Sequence, residues 1–275
     1  MKILTWNTNF WQSYGKKGWK NNITQYILSL FEEYDFILLQ ESNPSIIFDK
    51  DENQFEINDK IIFFNKLLDK EIGADSRKKI IPWGNSIIAD KRYRFIRNNF
   101  INKNGEIENY YFGKSAFMCF DFHFIDTLNI TLLNFYNKNM NGDYPMLKNV
   151  LADIENILKI KDGIIILSGD FNSDIERDPN NREFFNQLKK LGLVNCTEGK
   201  EFKTTMVPEI GNKRQYPNDK IFVNKPWKEI VECKLIKNTT IELSDHRPIE
   251  CIVKIFDLAS DKDRIGFSEE TKKWV

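Results

Sequence analysis

The chain has 275 residues, of which 41% are hydrophobic and 29% charged, the profile of a soluble globular protein rather than a disordered one. Forty basic residues balance forty acidic ones, so the formal net charge is zero. That excludes the global electrostatic steering of a dedicated nucleic-acid coat, but not an enzyme that touches a phosphate backbone at one face. No stretch approaches the about 18 apolar residues of a membrane span. Met1 to Trp6 runs straight into a strand-like pattern, without the apolar h-region of a signal peptide. The four cysteines form no C-x-x-C pair, and three lie in apolar stretches as buried thiols would. A cytoplasmic, reducing setting, no membrane insertion and a monomer are expected.

In chain order, Ile3 to Trp6 reads as a buried strand. Trp19 to Glu33 carries Ile23, Tyr26, Ile27, Leu30 and Phe31 at helical spacing. Phe36 to Leu39 is a short apolar strand ending at Gln40 and Glu41. Lys60 to Asn65 is a strand candidate, and Ser86 to Ala89 with Tyr93 to Ile96 read as the two arms of a turn. Asn109 to Phe124 and Asn129 to Tyr136 are aromatic and β-branched, as strands are. Tyr144 to Ile160 predicts an amphipathic helix through Leu147, Val150, Leu151, Ile154, Ile157 and Leu158. Gly163 to Leu167 is a strand, and Asn181 to Leu191 a second helix capped by Gly192. Lys220 to Val223, Val231 to Ile236 and Ile249 to Phe256 are later strands. One domain is expected over 1–257, with a charged tail over 258–275. Many short strands, few helices and no regular βαβ alternation predict stacked sheets with helices outside.

Several of these strands end in polar residues. Ser168-Gly169-Asp170-Phe171-Asn172 follows Ile164 to Leu167, and Leu243-Ser244-Asp245-His246-Arg247-Pro248-Ile249 opens the last strand. Side chains alternate along extended chain, so Phe171 can face the core while Asp170 and Asn172 share the other side. Asn7 pairs with Asn9 in the same way, and Glu41 stands at its strand's end. Each motif alone also fits an ordinary turn or a strand end meeting water. The inventory of Asn7, Glu41, Asp170, Asn172, Asp219 and Asp245 is made of hard oxygen donors, which suit Mg²⁺ or Mn²⁺ rather than zinc. His246 is available for proton transfer or charge stabilisation. His123, between Phe122 and Phe124, reads as structural. Lys16, Lys17, Trp19 and Lys20, with Arg77, Lys78, Lys79 and Trp83, fit a nucleic-acid groove or a solvated surface.

The ordered set Leu4-Thr5-Trp6-Asn7, Leu39-Gln40-Glu41, Gly84-Asn85-Ser86-Ile87-Ile88, Gly169-Asp170-Phe171-Asn172, Asn218-Asp219-Lys220-Ile221-Phe222 and Ser244-Asp245-His246-Arg247-Pro248-Ile249 resembles the endonuclease/exonuclease/phosphatase, or DNase-I-like, superfamily. The resemblance spans residues 3 to about 256. It implies an α+β fold, a four-layer α/β/β/α sandwich of two packed, mostly antiparallel mixed sheets flanked by helices. Asn7 and Glu41 resemble the metal-binding pair, and Asp245 a further metal or water-linked carboxylate. Asp170 resembles the residue that orients or deprotonates the attacking water, and Asn172 its phosphate-binding neighbour. His246 resembles the histidine on the scissile phosphate, and Asp219 the carboxylate that orients it. Tyr136 stands where many members carry a second histidine. Tyr136 with Asn139 resembles the phosphate contacts of the abasic-site endonucleases, which have an aspartate where this chain has Asn9. Asn9, Asn85 and Asn139 are thus expected at the substrate.

The implied activity is metal-dependent phosphodiester hydrolysis, most readily as a nuclease on DNA or RNA by in-line attack of an activated water. Whether the mode is endonuclease or exonuclease stays open. The zero net charge also admits a phospholipid or inositol-phosphate substrate at the same site. A non-enzymatic binding module would have little use for the intact residue set.

Overall fold

The computed structural model describes residues 1–14, 16–50, 52–72, 79–96, 99–101, 107–109, 116–125, 128–137, 145–173, 179–199, 201–205, 217–236 and 243–254. The first part of the chain runs β1 (Lys2–Asn7), α1 (Phe10–Ser13), α2 (Trp19–Ser29), β2 (Phe36–Ser42), α3 (Pro44–Ile47), β3 (Gln54–Ile57), β4 (Lys60–Ile72), β5 (Lys79–Asp90), β6 (Phe95–Ile96), β7 (Asn99–Ile101) and β8 (Ile107–Asn109). It continues with β9 (Ala116–Ile125), β10 (Leu128–Tyr136), α4 (Pro145–Ile160), β11 (Ile164–Asp170), α5 (Pro179–Lys190), β12 (Leu193–Asn195), β13 (Asp219–Asn224), β14 (Val231–Leu235) and β15 (Ile249–Val253).

Among the described residues, one seven-stranded sheet has the order β14-β15-β1-β2-β5-β4-β3, and a six-stranded sheet has the order β12-β13-β11-β10-β9-β6. β1–β2 and β10–β11 are parallel, and the other pairs are antiparallel. The alternation of each strand explains the layers. Ile3, Phe36, Leu38, Ile87, Ile130, Leu132, Ile166 and Ile221 point between the sheets and form the central core. Leu4, Trp6, Ile37 and Leu39 point outward against Trp19, Ile23 and Ile27 of α2. Leu133, Phe135, Ile165 and Leu167 do the same against Val150, Ile154 and Ile157 of α4 and Phe184, Phe185 and Leu188 of α5. The result is the expected four-layer α/β/β/α sandwich.

Two local expectations change, and the turn between Ala89 and Tyr93 holds. The helix from Trp19 ends at Ser29, because Leu30, Phe31 and Glu33 donate to carbonyls only three residues back. Ser86 to Ala89 and Tyr93 to Ile96 do flank a tight turn, in which the Tyr93 amide donates to the Asp90 carbonyl at 3.1 Å. They are not a hairpin, since β5 lies in the seven-stranded sheet and β6 pairs with β9 in the other. Strand β4 is also longer than Lys60 to Asn65. Gly192 has φ 85°, the left-handed value expected of a cap. Tyr144 and the tail over 258–275 lie outside the described residues.

Candidate active site

The polar strand ends of the two sheets meet at one edge of the sandwich. From the seven-stranded sheet come Asn7 at the end of β1, Glu41 in β2, and Asp245 and His246 just before β15. The six-stranded sheet supplies Tyr136 at the end of β10, Asp170 at the end of β11, Asn172 just beyond it, and Asp219 at the start of β13. Backbone geometry lets several of these groups turn out of the core. Asn9, Glu41 and Asn172 have φ values of 50°, 44° and 44°. Asn tolerates that region, whereas Glu rarely adopts it. Glu41 sits where the β2–β5 pairing breaks register between Leu39 and Ser42, so the bulge re-aims its carboxylate. Gly169 has φ 143°, and a Cβ there would lie 1.8 Å from the Phe135 carbonyl oxygen of the neighbouring parallel strand. Only glycine lets β11 approach β10 closely enough to deliver Asp170.

Hydrogen bonds join the halves. The Asn7 Nδ2 donates to Asp170 Oδ2 at 2.8 Å and to Glu41 Oε1 at 3.2 Å. Asp170 also accepts from the Asn172 backbone N–H at 2.8 Å and from its Nδ2 at 3.0 Å. His246 Nδ1 donates to Asp219 Oδ2 at 2.8 Å, and its Nε2 lies 3.9 Å from Asp170 and 4.0 Å from Asp245. The Asn9 side-chain amide donates to Asp245 Oδ1 at 2.6 Å. The imidazole is braced from behind: Ser244 Oγ accepts the His246 N–H at 3.0 Å and donates to the Asn7 carbonyl at 2.7 Å. Trp6 Nε1 donates to the His246 carbonyl at 3.0 Å.

The electrostatics follow from four carboxylates, Glu41, Asp170, Asp219 and Asp245, gathered around one imidazole. Burial alone would lower the His246 pKa, but the charges of Asp219 and Asp170 outweigh it and raise the value to about 10. His246 is therefore a cation at neutral pH. Burial pushes Asp170 up to about 7, with His246 opposing that rise and Asp219 adding to it. Burial also raises Glu41, against the Asn7 hydrogen bond, and it lifts the Tyr136 phenol well above its ordinary range, helped by Glu41 and Asp170.

Asp170, Asp219 and His246 each place a ligand-type atom within 4.8 Å of one another. Within that trio both carboxylates face the imidazole, Asp219 at 2.8 Å and Asp170 at 3.9 Å. The donor set of Glu41, Asn7 and Asp245 fits a hard divalent cation. The Asp245 side chain is 18% exposed, and the surplus of carboxylate over imidazolium calls for positive charge.

Other expectations fall elsewhere. Asn172 spends its amide donors on Asp170 and on the Asn137 carbonyl at 2.9 Å, which makes it a brace for Asp170. Asn85 is 1% exposed and donates to the Asn134 carbonyl at 3.1 Å, beneath the site rather than on its open face. Asn139 lies outside the described residues, as do Arg77 and Lys78. Trp19 and Trp83 are each 3% exposed, so neither offers a face for base stacking. Lys20 pairs with Asp49 instead of lining a groove. His123 sits mid-strand in β9, away from the site edge. Gln40, Asn134 and Ser244 support the site and drew no notice as functional residues. Their signal was polarity within or beside an otherwise apolar strand.

No family model matches the chain, and no curated protein matches it. Solved structures do. An AP endonuclease, LMAP, from Leishmania major aligns at TM-score 0.63 and 16% identity, over 92% of this chain and 87% of that one. An endonuclease/exonuclease/phosphatase family protein from Leptotrichia buccalis C-1013-b aligns at 0.60 and 19%, over 92% and 99%. TDP2 from D. rerio, complexed with a single-strand DNA product, aligns at 0.56 and 15%, over 91% and 97%. At these identities the likeness is one of fold.

Proposed function

We propose that this chain, which has the DNase-I-like fold of the endonuclease/exonuclease/phosphatase superfamily, is a divalent-metal-dependent phosphodiester hydrolase acting on nucleic acid. The observation that carries the reading is Asp170. It lies between Asn7 of the metal-type donor set, at 2.8 Å, and an imidazolium held by Asp219, at 3.9 Å. Glu41, Asn7 and Asp245 would hold Mg²⁺ or Mn²⁺, which when bound supplies neutralising charge to the phosphate. Asp170, with a pKa of about 7, holds the attacking water and takes its proton near neutral pH. His246 Nε2–H faces the charge that develops on the phosphoryl oxygens, and Asp219 keeps it protonated. Tyr136 stays neutral and presents a phenol beside Glu41. The same reading takes residues 1–257 as one catalytic domain, working as a monomer in the cytoplasm.

A phospholipid or inositol-phosphate substrate is the second reading. It is favoured by the zero net charge and by the burial of Trp19 and Trp83, which removes two stacking candidates. The test is a panel of single- and double-stranded DNA, RNA, sphingomyelin and inositol phosphates, with Mg²⁺ or Mn²⁺. The nuclease reading expects cleavage of a nucleic acid that excess chelator or Asp170→Ala abolishes. Turnover of the lipid or inositol substrates alone would replace it with the second reading, and no turnover of any substrate would refute both.

A further inference from the structure

The inward faces of both sheets change from apolar to polar towards the site edge. Along β1 the inward stripe reads Ile3, Thr5, Asn7, and along β2 it reads Phe36, Leu38, Gln40. Along β10 it reads Ile130, Leu132, Asn134, Tyr136, and along β11 Ile164, Ile166, Ser168, Asp170. A dry core thus gives way to polar side chains, with Gln40 level with Asn7, and Asn134 and Ser168 one alternation below Tyr136 and Asp170. Among them, Gln40 Nε2 donates to Asn134 Oδ1 at 2.7 Å and to Thr5 Oγ1 at 3.0 Å. Asn134 Nδ2 donates back across the sandwich to the Leu39 carbonyl at 3.0 Å and the Ser86 carbonyl at 2.8 Å. Both side chains are fully buried, so neither can touch a substrate.

We propose that Gln40 and Asn134 are positioning residues whose amide contact sets the separation of the two halves of the site. The reasons are connectivity and direction. Gln40 immediately precedes Glu41, and Asn134 lies two residues before Tyr136 on the same face of β10. The amide pair therefore lies next in chain to Glu41 on one sheet and one alternation from Tyr136 on the other. The β2–β5 ladder skips Gln40 and Glu41, so towards β5 the side-chain network stands where a backbone restraint is missing, while towards β1 the Thr8 amide still donates to the Gln40 carbonyl at 2.9 Å. Apolar packing in the core below is non-directional and tolerates small slides, whereas hydrogen bonds at these lengths fix both distance and angle. Polar groups placed between two packed sheets are a demanding arrangement, and here they bridge the sheets beside the strand ends from which both halves of the site emerge.

The kinetic part of this proposal rests on the phosphodiesterase reading, and its structural part does not. Gln40→Met and Asn134→Leu keep volume and remove the contact, while Thr5→Val loosens only one anchor. For the first two, kcat on the cleaved substrate should fall at least about tenfold with KM held within about threefold, the pattern of misplaced groups rather than lost binding. Their double variant should be no worse than the worse single, since one contact is lost in each. Thr5→Val should lose about threefold, and it keeps the test open if a larger change prevents folding. Hydrogen exchange should quicken at the Glu41 and Tyr136 amides while Ile165 and Ile166 of β11 keep their protection. Unchanged kcat in both single variants would overturn the proposal. If the wild-type chain cleaves nothing, the functional reading fails on that result alone. Exchange then decides the positioning claim, and unaltered exchange at Glu41 and Tyr136 would overturn it.

Discussion

The two halves of the site hold their carboxylates differently. On the six-stranded sheet, Asp170 and Asp219 are 0% and 3% exposed, and each is tied to a partner that fixes its orientation. On the seven-stranded sheet, the Asp245 side chain is 18% exposed, and Glu41 is partly buried on a backbone held at positive φ. The buried pair tunes protons, since low local polarity moves the pKa of Asp170 and of the histidine beside it. The more open pair suits a hard cation, which keeps part of its water shell and takes only one or two carboxylates. On the proposed function, each sheet thus supplies one kind of chemistry. His246 is the exception that links them, because it departs from the seven-stranded sheet and is charged by the carboxylates of the other.

If this division is right, the two halves should fail differently. Asp170→Asn removes the proton acceptor and should lower kcat by about 10³-fold, with no recovery as Mg²⁺ is raised. Glu41→Gln should cost at least about tenfold in Mg²⁺ affinity by calorimetry, and part of its lost activity should return at high Mg²⁺. Metal rescue of Asp170→Asn, or none for Glu41→Gln, would erase the distinction.

The pH dependence is a finer probe. Activity should rise as pH passes about 7, where Asp170 ionises, and fall near about 10, where His246 loses its proton. Asp219→Asn removes the carboxylate bonded to the imidazole, so the alkaline limb should move down towards the ordinary histidine value of 6.5. The stability sign is the same. The folded pKa of His246 is raised, so its contribution is full below 6.5 and is lost as pH climbs to about 10. Melting temperatures across that window should fall less in His246→Gln than in the wild type.

Much of the open, polar edge was legible in the sequence, because apolar runs that stop at Asn7, Glu41 and Asp170 mark where strands leave the core. The amide pair that bridges the sheets was not. Gln40 and Asn134 are 94 residues apart, and alternation shows that each points inward without showing that they meet. The turn at Asp90 to Tyr93 has the same limit: the local pattern correctly reveals a reversal, but not that the chain changes sheets there. Trp19 and Trp83 looked like surface stacking groups because lysines stand near them in sequence. Their burial depends on Leu243 and Tyr136, which contact them from distant segments. The αL turn at Glu41 also went unseen, since no residue type announces it.

The central claim is that carboxylates from the two sheets act as one machine. The most direct test is a double-mutant cycle on Glu41→Gln and Asp219→Asn, measured as kcat/KM on a cleaved oligonucleotide at saturating Mg²⁺. Groups that act as a unit are strongly non-additive. The double variant should therefore lie within about threefold of the worse single. Losses that multiply would show two independent contributions and contradict the account.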